Sequence, residues 1–314
     1  MAEKQKRLDS GKPSKTAEFM ALFRALESAY PRERRLFEDP FARRFLSPAL
    51  RAAAFAARAA FLQKGIVRLL DTIWSGARAS GIARTRLIDD FLQAGLRDGI
   101  SQLVILGAGC DSRAYRMDTL QNCRVFEVDH PSTLAFKQAK LEKIHSVPRG
   151  HVRYAATDFN RQSAAQTLRE AGFDPSLPAF FIWEGVTNYL TEEAVRKTLA
   201  EIGALAPGTR LAFTYVHRDA IDAPEQTVKK GVSKLLQKQG EPWTFGILPQ
   251  TLPALLGEYN LTLLENLDSV SCRKRYMCAQ GRHLDGYEFY HAALAEVHSA
   301  SAKSQRHSSK SSSL

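Results

Sequence analysis

Cysteines and long apolar runs are both scarce in this sequence of 314 residues. It has only four cysteines, and none of them is spaced as Cys-x-x-Cys. Four cysteines cannot cross-link a chain of this length into a disulfide framework, so we expect a reducing compartment. No apolar run approaches the ~20 residues that cross a bilayer, and the polar N-terminus lacks the apolar core of a signal peptide. We therefore expect a cytoplasmic protein with no membrane partner.

Several catalytic motifs are also missing. There is no Gly-x-Ser-x-Gly turn of the kind that presents a nucleophilic serine, and the eight histidines are scattered without metal-ligand spacing. The sequence therefore gives no support to a hydrolase or a metalloenzyme, and we expect no metal site.

Positive charge is abundant but unevenly placed. The formal net charge is +11, and residues 1–100 hold 19 Lys and Arg against 11 Asp and Glu. Residues 101–297 hold 22 of each sign, so this central part is neutral. A nucleic-acid site needs a basic stripe beside it. Solvated helix faces and a basic tail would account for most of the excess positive charge. The charge distribution therefore argues against a nucleic-acid substrate.

A glycine turn between two predicted strands is the most informative feature. The apolar run Leu103–Leu106 suits a strand that is buried on both faces, and Gly107-Ala108-Gly109 follows it directly. The glycines allow a sharp turn and a close approach of a ligand to backbone N–H groups. A second predicted strand, 123–128, ends at Asp129, twenty residues after Gly109. A glycine turn followed by a carboxylate at this distance indicates a Rossmann-type nucleoside site.

Two classes of nucleoside ligand compete for this site. A dinucleotide motif continues to a third glycine, but Ser112 occupies that position here. Asp111 also places negative charge where a pyrophosphate would approach the helix N-terminus. The same charge favours a ligand that carries a sulfonium and an ammonium group, such as S-adenosylmethionine. A nicotinamide oxidoreductase remains an alternative that these residues disfavour.

Three motifs in order resemble one known family. They are Leu106-Gly107-Ala108-Gly109-Cys110-Asp111-Ser112-Arg113-Ala114-Tyr115-Arg116, then Phe126-Glu127-Val128-Asp129-His130-Pro131, then Trp183-Glu184-Gly185-Val186-Thr187-Asn188-Tyr189-Leu190. Together they resemble the leucine carboxyl methyltransferase family, and more closely its bacterial branch of S-adenosylmethionine-dependent methyltransferases. The similarity runs from about Thr16 to Val297. It implies transfer of a methyl group to oxygen, but the family methylates protein C-termini, small acids and a modified tRNA base.

The resemblance also implies a fold. We expect an α/β protein of the class I S-adenosylmethionine-dependent methyltransferase type, with a Rossmann-like, mostly parallel seven-stranded sheet and an N-terminal helical cap. Residues 1–15 and the Ser-rich tail 299–314 are predicted to be disordered. Residues 16–100 would form the cap, with one alanine-rich helix over 50–70 and another over 82–96. Residues 101–298 would form the methyltransferase domain, and 217–248 a lid or insertion within it.

The resemblance further implies roles for individual residues. Arg84, predicted at the start of a helix, would contact the carboxylate of the cofactor. Asp158 and Phe159 would hold the adenine ring, and Glu184, at the end of the predicted strand 178–183, would lie near the methionine moiety. With the nucleoside motif, the full predicted site for S-adenosylmethionine comprises Arg84, Gly107, Ala108, Gly109, Asp111, Asp129, Asp158, Phe159 and Glu184. The neighbouring Asp89 and Asp90 are expected to be surface or capping charges.

The sequence says less about the methyl acceptor than about the cofactor. A carboxylate has an ordinary pKa near ~4 and is already ionised, so it needs a cationic or hydroxylic clamp rather than a general base. We expect a small-molecule or peptide carboxylate, with Arg113, His217, Arg275 and Tyr276 as clamp candidates by position alone. Methylation of a hydroxyl or phenol, and a binding module without turnover, remain alternatives. The sequence assigns no catalytic residue.

Overall fold

The computed structural model describes most of the chain. The described residues are 15–73, 76–144, 148–157, 163–224, 243–278, 282 and 288–298. Lys15, the last residue of the predicted disordered N-terminus, is instead helical. The rest of the predicted disordered termini, most of the predicted lid, and the predicted adenine contacts Asp158 and Phe159 lie outside these ranges.

Helices fill the chain before the first strand. They are α1 (Lys15–Glu27), a 3₁₀ turn (Ala42–Phe45), α2 (Pro48–Ala56), α3 (Ala60–Ile73) and α4 (Ala77–Arg97). The single helix predicted over 50–70 is wrong, because the chain breaks between α2 and α3. Arg58 and Ala59 donate to the carbonyls three residues back, which ends the α-helical ladder of α2. No glycine or proline marks this break, so the sequence offered no signal for it.

A seven-stranded sheet forms the centre of the molecule. Its strand order is β3-β2-β1-β4-β5-β7-β6, and only β7 runs antiparallel to its neighbours. This confirms the predicted α/β class with a mostly parallel seven-stranded sheet. The strands are β1 (Gln102–Leu106), β2 (Arg124–Asp129), β3 (Val152–Ala156), β4 (Phe180–Trp183), β5 (Arg210–Val216), β6 (Leu261–Asp268) and β7 (Tyr290–Val297).

The central strand β1 is buried on both faces. Leu103 and Ile105 pack into one core cluster, whereas Val104 and Leu106 pack into the cluster on the opposite face. Side chains alternate across a strand, so two cores on opposite sides require a continuous apolar run. The parallel neighbours β2 and β4 both end at the same edge as β1, and this edge carries the candidate site.

The remaining helices connect the strands. They are α5 (Arg113–Arg116), α6 (Pro131–Leu141), α7 (Ala164–Glu170), α8 (Glu192–Gly203), α9 (Asp219–Asp222), α10 (Leu252–Glu258) and α11 (Ser269–Tyr276). Thr191 caps α8, since its hydroxyl oxygen accepts a hydrogen bond from Ala194 N at 3.2 Å. Across the ranges that the structure describes, no helix has both the length and the apolar character needed to span a membrane.

Gly203 and Gly257 provide a matched test of packing between α8 and α10. A Cβ on Gly203 would lie 1.7 Å from the carbonyl oxygen of Tyr259, whereas a Cβ on Gly257 would contact nothing within 4 Å. We expect Gly203→Ala to lower the free energy of unfolding by about 2 kcal/mol or more, because the backbone must move to relieve the overlap. Gly257→Ala should be neutral or raise it by up to ~1 kcal/mol. Urea denaturation of both variants measures this, and equal effects would contradict the packing described.

Candidate functional site

The glycine turn after β1 is held tightly by its neighbours. Gly107 and Gly109 have φ values of 68° and 41°, and a Cβ on Gly107 would lie 2.4 Å from Cγ2 of Val186. The backbone N–H groups of Gly107 and Ala108 both donate to the carbonyl of Val128, at 2.8 and 3.1 Å. These N–H groups were expected to be open to a ligand, and the structure instead uses them to join the turn to β2.

Asp129 lies at the end of β2, beside this turn. Its Oδ2 accepts a hydrogen bond from Gly109 N at 2.6 Å, and its Oδ1 accepts one from His130 N at 2.6 Å. Burial raises the pKa of Asp129, and the two backbone donors oppose that rise. Each carboxylate oxygen can accept a second hydrogen bond. The side chain is therefore fixed in orientation and can still receive two donors side by side, as a vicinal diol would present them.

Glu184, the residue after β4, lies between two guanidinium groups. Arg84 Nε is 2.8 Å from its Oε1, and Arg113 Nη1 is 2.9 Å from its Oε2. Burial opposes ionisation, but Arg113 and Arg84 together hold the pKa of Glu184 below its ordinary value. The Arg84 and Glu184 side chains keep 11% and 13% of their surface exposed, whereas Arg113 keeps 3%. Arg84 and Glu184 therefore form a charged pair that is mostly buried but keeps a small part of its surface accessible.

Arg113 is the centre of a larger charge network. Its Nη1 lies 2.5 Å from Asp111 Oδ2, and its Nε lies 2.7 Å from Asp89 Oδ1. Asp111 also accepts a hydrogen bond from Arg113 N at 2.8 Å. Burial acts to raise the pKa of Asp111, but Arg113, Lys137 and Arg24 together outweigh it and lower the pKa to about 2. The structure thus commits Arg113 to three carboxylates of the protein, which makes it unsuitable as the acceptor clamp considered above.

Asp89 was expected to be a surface or capping charge, and that expectation is wrong. The residue is 4% exposed and is bound by Arg113 and, through both of its oxygens, by Arg116 at 2.7 Å. Arg113 and Arg116 are one helical turn apart in α5, so they face the same side. The spacing of these two arginines was the only sequence feature that indicated a buried acidic partner. It does not identify which carboxylate is that partner.

Arg84 lies in the middle of α4 rather than at the start of a helix. The helix begins earlier than predicted, at Ala77, after Gly76 in the left-handed conformation. Arg84 Cζ lies 4.8 Å from the ring centre of Tyr290, and Tyr290 donates to Asn188 Oδ1 at 3.3 Å. Asn188 is fully buried, and its Nδ2 has no hydrogen-bond partner among the described residues. Sequence reasoning missed both Tyr290 and Asn188, although Asn188 lies within a recognised motif.

The other clamp candidates are engaged elsewhere. Arg275 pairs with Glu265 at 2.5 Å, and Tyr276 donates to Asp90 at 2.8 Å. These contacts join α11 to β6 and α4. His217 follows β5, and its Nδ1 accepts a hydrogen bond from Asp219 N at 3.3 Å. Of the four candidates, only His217 lies at the end of a parallel strand of the sheet.

A second buried ion pair contacts the glycine turn. Lys137 Nζ lies 2.8 Å from Glu127 Oε1, and both side chains are completely buried. Lys137 Nζ also lies 3.4 Å from the carbonyl oxygen of Ala108, with the ring of Tyr115 5.5 Å away. Burial raises the pKa of Glu127, and Lys137 opposes that rise. The pair joins α6 and β2 to the turn, and no sequence pattern predicted it.

Helix α1 packs against the other side of the turn. Arg24 Nε lies 2.9 Å from Asp39 Oδ2, and Arg24 Nη2 donates to the carbonyl of Cys110 at 2.5 Å. Ser112 donates to the same Asp39 oxygen at 2.5 Å. Arg24 is 8% exposed, and Arg78 in α4 is 1% exposed. Part of the N-terminal positive charge is therefore buried and paired, which corrects the expectation that it lies on solvated helix faces.

The described part of the chain contains no group of three or more His, Cys, Asp or Glu side chains that could hold a metal ion.

Comparison with known proteins identifies a matching family and several similar sequences. The sequence profile of the leucine carboxyl methyltransferase family matches residues 17–203. A candidate S-adenosyl-L-methionine-dependent methyltransferase of Mycolicibacterium vanbaalenii is 45% identical over 131 residues, which cover 41% of this chain and 44% of the relative. A protein of Mycobacterium tuberculosis H37Rv with the same kind of name is 39% identical over 214 residues, or 67% of this chain and 69% of the relative. The match thus spans about half the length of the first of these relatives.

One solved structure shares the fold. The crystal structure of a candidate methyltransferase from Thermobifida fusca YX superposes with a TM-score of 0.57 and covers 93% of this chain and 97% of its own. The sequence identity is 20%, so this likeness concerns the fold alone. It agrees with the class I arrangement that the strand order displays.

The network around Arg113 predicts a pH dependence of stability. The pKa of Asp111 is about 2 in the folded protein and near ~3.9 in an unfolded chain. Its stabilising effect is therefore complete above pH ~4 and is lost as the pH falls towards 2. Between pH 5 and pH 2.5, the wild type should lose about 2 kcal/mol more unfolding free energy than Asp111→Asn.

Urea denaturation at the two pH values measures this difference. Asp118→Asn is the matched control, because Asp118 is exposed and lies outside the network. It should follow the wild type. Identical pH slopes for Asp111→Asn and the wild type would contradict the role given to Arg113.

Proposed function

This chain belongs to the leucine carboxyl methyltransferase family, and on that basis we propose that it transfers a methyl group from S-adenosylmethionine to a carboxylate oxygen of a small molecule or peptide. The family profile, the names of its relatives and the fold all agree on an S-adenosylmethionine-dependent methyltransferase. The identity of the acceptor is the further step in this proposal.

The observation that carries the proposal is the ion pair of Arg84 and Glu184 at the carboxyl edge of the sheet. The two side chains are 2.8 Å apart and keep 11% and 13% of their surface exposed. The amino-acid end of S-adenosylmethionine is a zwitterion, so its ammonium complements Glu184 and its carboxylate complements Arg84. Asp129, fixed by Gly109 N and His130 N, would accept the two ribose hydroxyls. When bound, the cofactor supplies a methyl group on an electron-poor sulfonium.

The same region is poorly suited to a dinucleotide. A pyrophosphate is bound by free backbone N–H groups at a glycine turn. Here the N–H groups of Gly107 and Ala108 donate to Val128, and that of Gly109 donates to Asp129. Asp111, ionised at every pH above about 2, adds negative charge beside the turn. These contacts favour the methyl donor over a nicotinamide cofactor.

A carboxylate acceptor suits the groups at this edge. It is ionised near neutral pH and needs orientation rather than deprotonation. Tyr290 lies beside Arg84 and is held by Asn188 Oδ1, and its hydroxyl group can orient such an acceptor, whereas Arg84 itself is assigned to the carboxylate of the cofactor. Burial lowers the pKa of His291 to about 4, so its imidazole is too weak a base to deprotonate a phenol. In this proposal the residues of the chain bind the acceptor and align it with the methyl group. The reaction requires no proton transfer.

Methylation of a hydroxyl or phenol is the second candidate, and His217 is the observation that favours it. Its Nδ1 lies 3.5 Å from Asp219 Oδ2, which resembles the orientation of a histidine base by a carboxylate. In the observed geometry, however, Nδ1 accepts from Asp219 N, so Nε2 carries the proton of the neutral ring. His217 would have to change tautomer to act as a base through Nε2. Binding without turnover remains a third possibility that the acceptor experiment tests.

The predicted roles of Asp158 and Phe159 at the adenine stay predictions, because both residues lie outside the described part of the chain. The same holds for the lid between 225 and 242.

The cofactor proposal predicts selective binding. S-adenosylmethionine and its demethylated product should raise the melting temperature, and NAD should leave it unchanged. Asp129→Ala removes a charged hydrogen-bond acceptor, so it should weaken binding by about 1.5–3 kcal/mol, or roughly 10- to 150-fold. Isothermal titration calorimetry measures this, with the exposed Asp118→Ala as the matched control. Stabilisation by NAD alone, or equal affinity of both variants, would refute the assignment.

The acceptor proposal predicts the chemistry of the product. The protein is incubated with a metabolite extract and S-adenosylmethionine labelled on its methyl group, and the product is then exposed to mild base. A methyl ester releases its label as volatile methanol, whereas a methyl ether keeps it. We expect volatile label, at an initial rate that does not rise between pH 6 and 8, because a carboxylate is ionised throughout that range. Base-stable label would favour a hydroxyl acceptor and His217, and absence of any label would favour a binding module.

A further inference from the structure

One segment of the cap carries positive charge without any negative charge. Residues 41–70 hold six cations and no carboxylate, and they cover the 3₁₀ turn Ala42–Phe45, α2 and nearly all of α3. We refer to the exposed side of this segment as the basic cap surface. Its cations are Arg43, Arg44, Arg51, Arg58, Lys64 and Arg68, of which all but the half-buried Arg43 are exposed.

These cations are not neutralised by the rest of the protein. None of the six forms an ion pair with a residue that the structure describes. Partial burial lowers the pKa of Arg43, and Arg58, Arg44 and Arg51 lower it further. Arg51 also contributes to a lowered pKa of Lys140, at the end of α6. Arg43, Arg44, Arg51 and Arg58 thus form one repelling cluster that extends to Lys140 in α6, and such a cluster is stabilised by an anionic partner.

Apolar side chains are exposed within the same surface. Phe61 is 78% exposed, Leu69 and Phe55 are each 61% exposed, and Leu62 is 41% exposed. These are four of the six large apolar side chains that are exposed in the described ranges. A concentration of this kind on one short segment marks an interaction site rather than ordinary surface composition.

The spacing in α3 places these groups side by side. Phe61 and Leu69 are eight residues apart and share one face of the helix, with Leu62 beside Leu69. Lys64 and Arg68 border this face, whereas Val67 on the other side is buried. In α2, Phe55 has the guanidinium carbons of Arg43 and Arg58 each 5.8 Å from its ring centre. Each of the two helices therefore carries exposed apolar groups beside cations.

We propose that the basic cap surface docks on an anionic lipid bilayer, with Phe61 and Leu69 entering the interface while Arg58, Lys64 and Arg68 contact the headgroups. A bilayer interface accepts apolar side chains and cations together, and an amphipathic basic helix with Phe and Leu on its other face is how proteins lie on it. A nucleic acid would use the cations and the aromatic rings but would leave Leu62 and Leu69 in water.

This docking requires no spanning segment. The sequence-based expectation of no membrane partner came from the lack of a bilayer-crossing run, and a helix that lies on the surface needs none. The proposal is also independent of the methyl acceptor, since it uses only residues 41–70 and none of the site residues.

Co-sedimentation with sucrose-loaded vesicles tests the proposal with the full chain. Vesicles of phosphatidylcholine are compared with vesicles in which about one lipid in three is phosphatidylglycerol, so that the surface is anionic. We expect binding to the anionic vesicles, weaker binding to the neutral ones, and release as salt is raised. Phe61→Ser combined with Leu69→Ser, and Arg58→Gln combined with Arg68→Gln, should each reduce partitioning on the order of tenfold.

Matched controls separate this surface from general exposure and charge. Leu264→Ser removes a 50% exposed leucine from β6, and Lys274→Gln removes an exposed cation from α11. Both should bind vesicles like the wild type, and all variants should keep its melting temperature because the changed side chains are exposed.

Three outcomes would overturn the proposal. The first is equal binding of neutral and anionic vesicles, or of the surface variants and their controls. The second is binding to a mixed-sequence RNA or DNA duplex with none to vesicles, which would make the partner a nucleic acid. The third is a concentration-dependent dimer in light scattering that Phe61→Ser abolishes, which would make the partner a second copy of this chain.

Discussion

The carboxylate of Glu184 and its two guanidinium partners form the interaction on which the site depends. Arg84 comes from α4, Arg113 from α5 after the glycine turn, and Glu184 from the end of β4. A carboxylate withdrawn from water is costly unless it is paired and hydrogen-bonded. Helix α4, the glycine turn and the sheet must therefore be assembled together for this carboxylate to stay ionised, and its two partners fix where these elements meet.

The charges around it are balanced within a small volume. Arg113 links Glu184 to Asp111 and Asp89, and Arg116 takes the remaining positions on Asp89. Such a network gives little net stability compared with apolar packing, but it is strongly destabilised when one member is removed. For function, the network orients the groups that face the ligand before the ligand binds. Binding therefore carries no further loss of conformational entropy for ordering them.

The arginines of the cap have two different environments. Arg24 and Arg78 are buried and paired with carboxylates, at Asp39 and Asp71, and they support the glycine turn and the packing of α3 on α4. Arg44, Arg51 and Arg58 are exposed without such partners. A net charge of +11 contains both groups and cannot distinguish them. Only the packing shows that one set belongs to the core of the molecule and the other set is available to a partner.

The sequence by itself determined the features that are encoded within a few neighbouring residues. The apolar run of β1, the glycine turn, and the carboxylates Asp129 and Glu184 at strand ends were predicted because each follows from local periodicity and turn chemistry. The order of these elements, together with the family resemblance, was enough to predict the fold. The break between α2 and α3 was not predicted, since alanine-rich sequence favours helix on both sides of it.

Tertiary structure alone decided which groups become partners. Asp89 is paired with Arg113, 24 residues away, and Tyr290 donates to Asn188 across 102 residues. Nothing in the local sequence specifies such pairs, because a buried charge or amide finds its partner only when distant elements pack together. The family resemblance implied that Arg84 and Glu184 both lie near the cofactor, but their pairing, 100 residues apart, comes from α4 lying against the end of β4. Local conformational preference determines which helices and strands form. The free-energy cost of leaving a buried polar group unpaired determines how those helices and strands pack together.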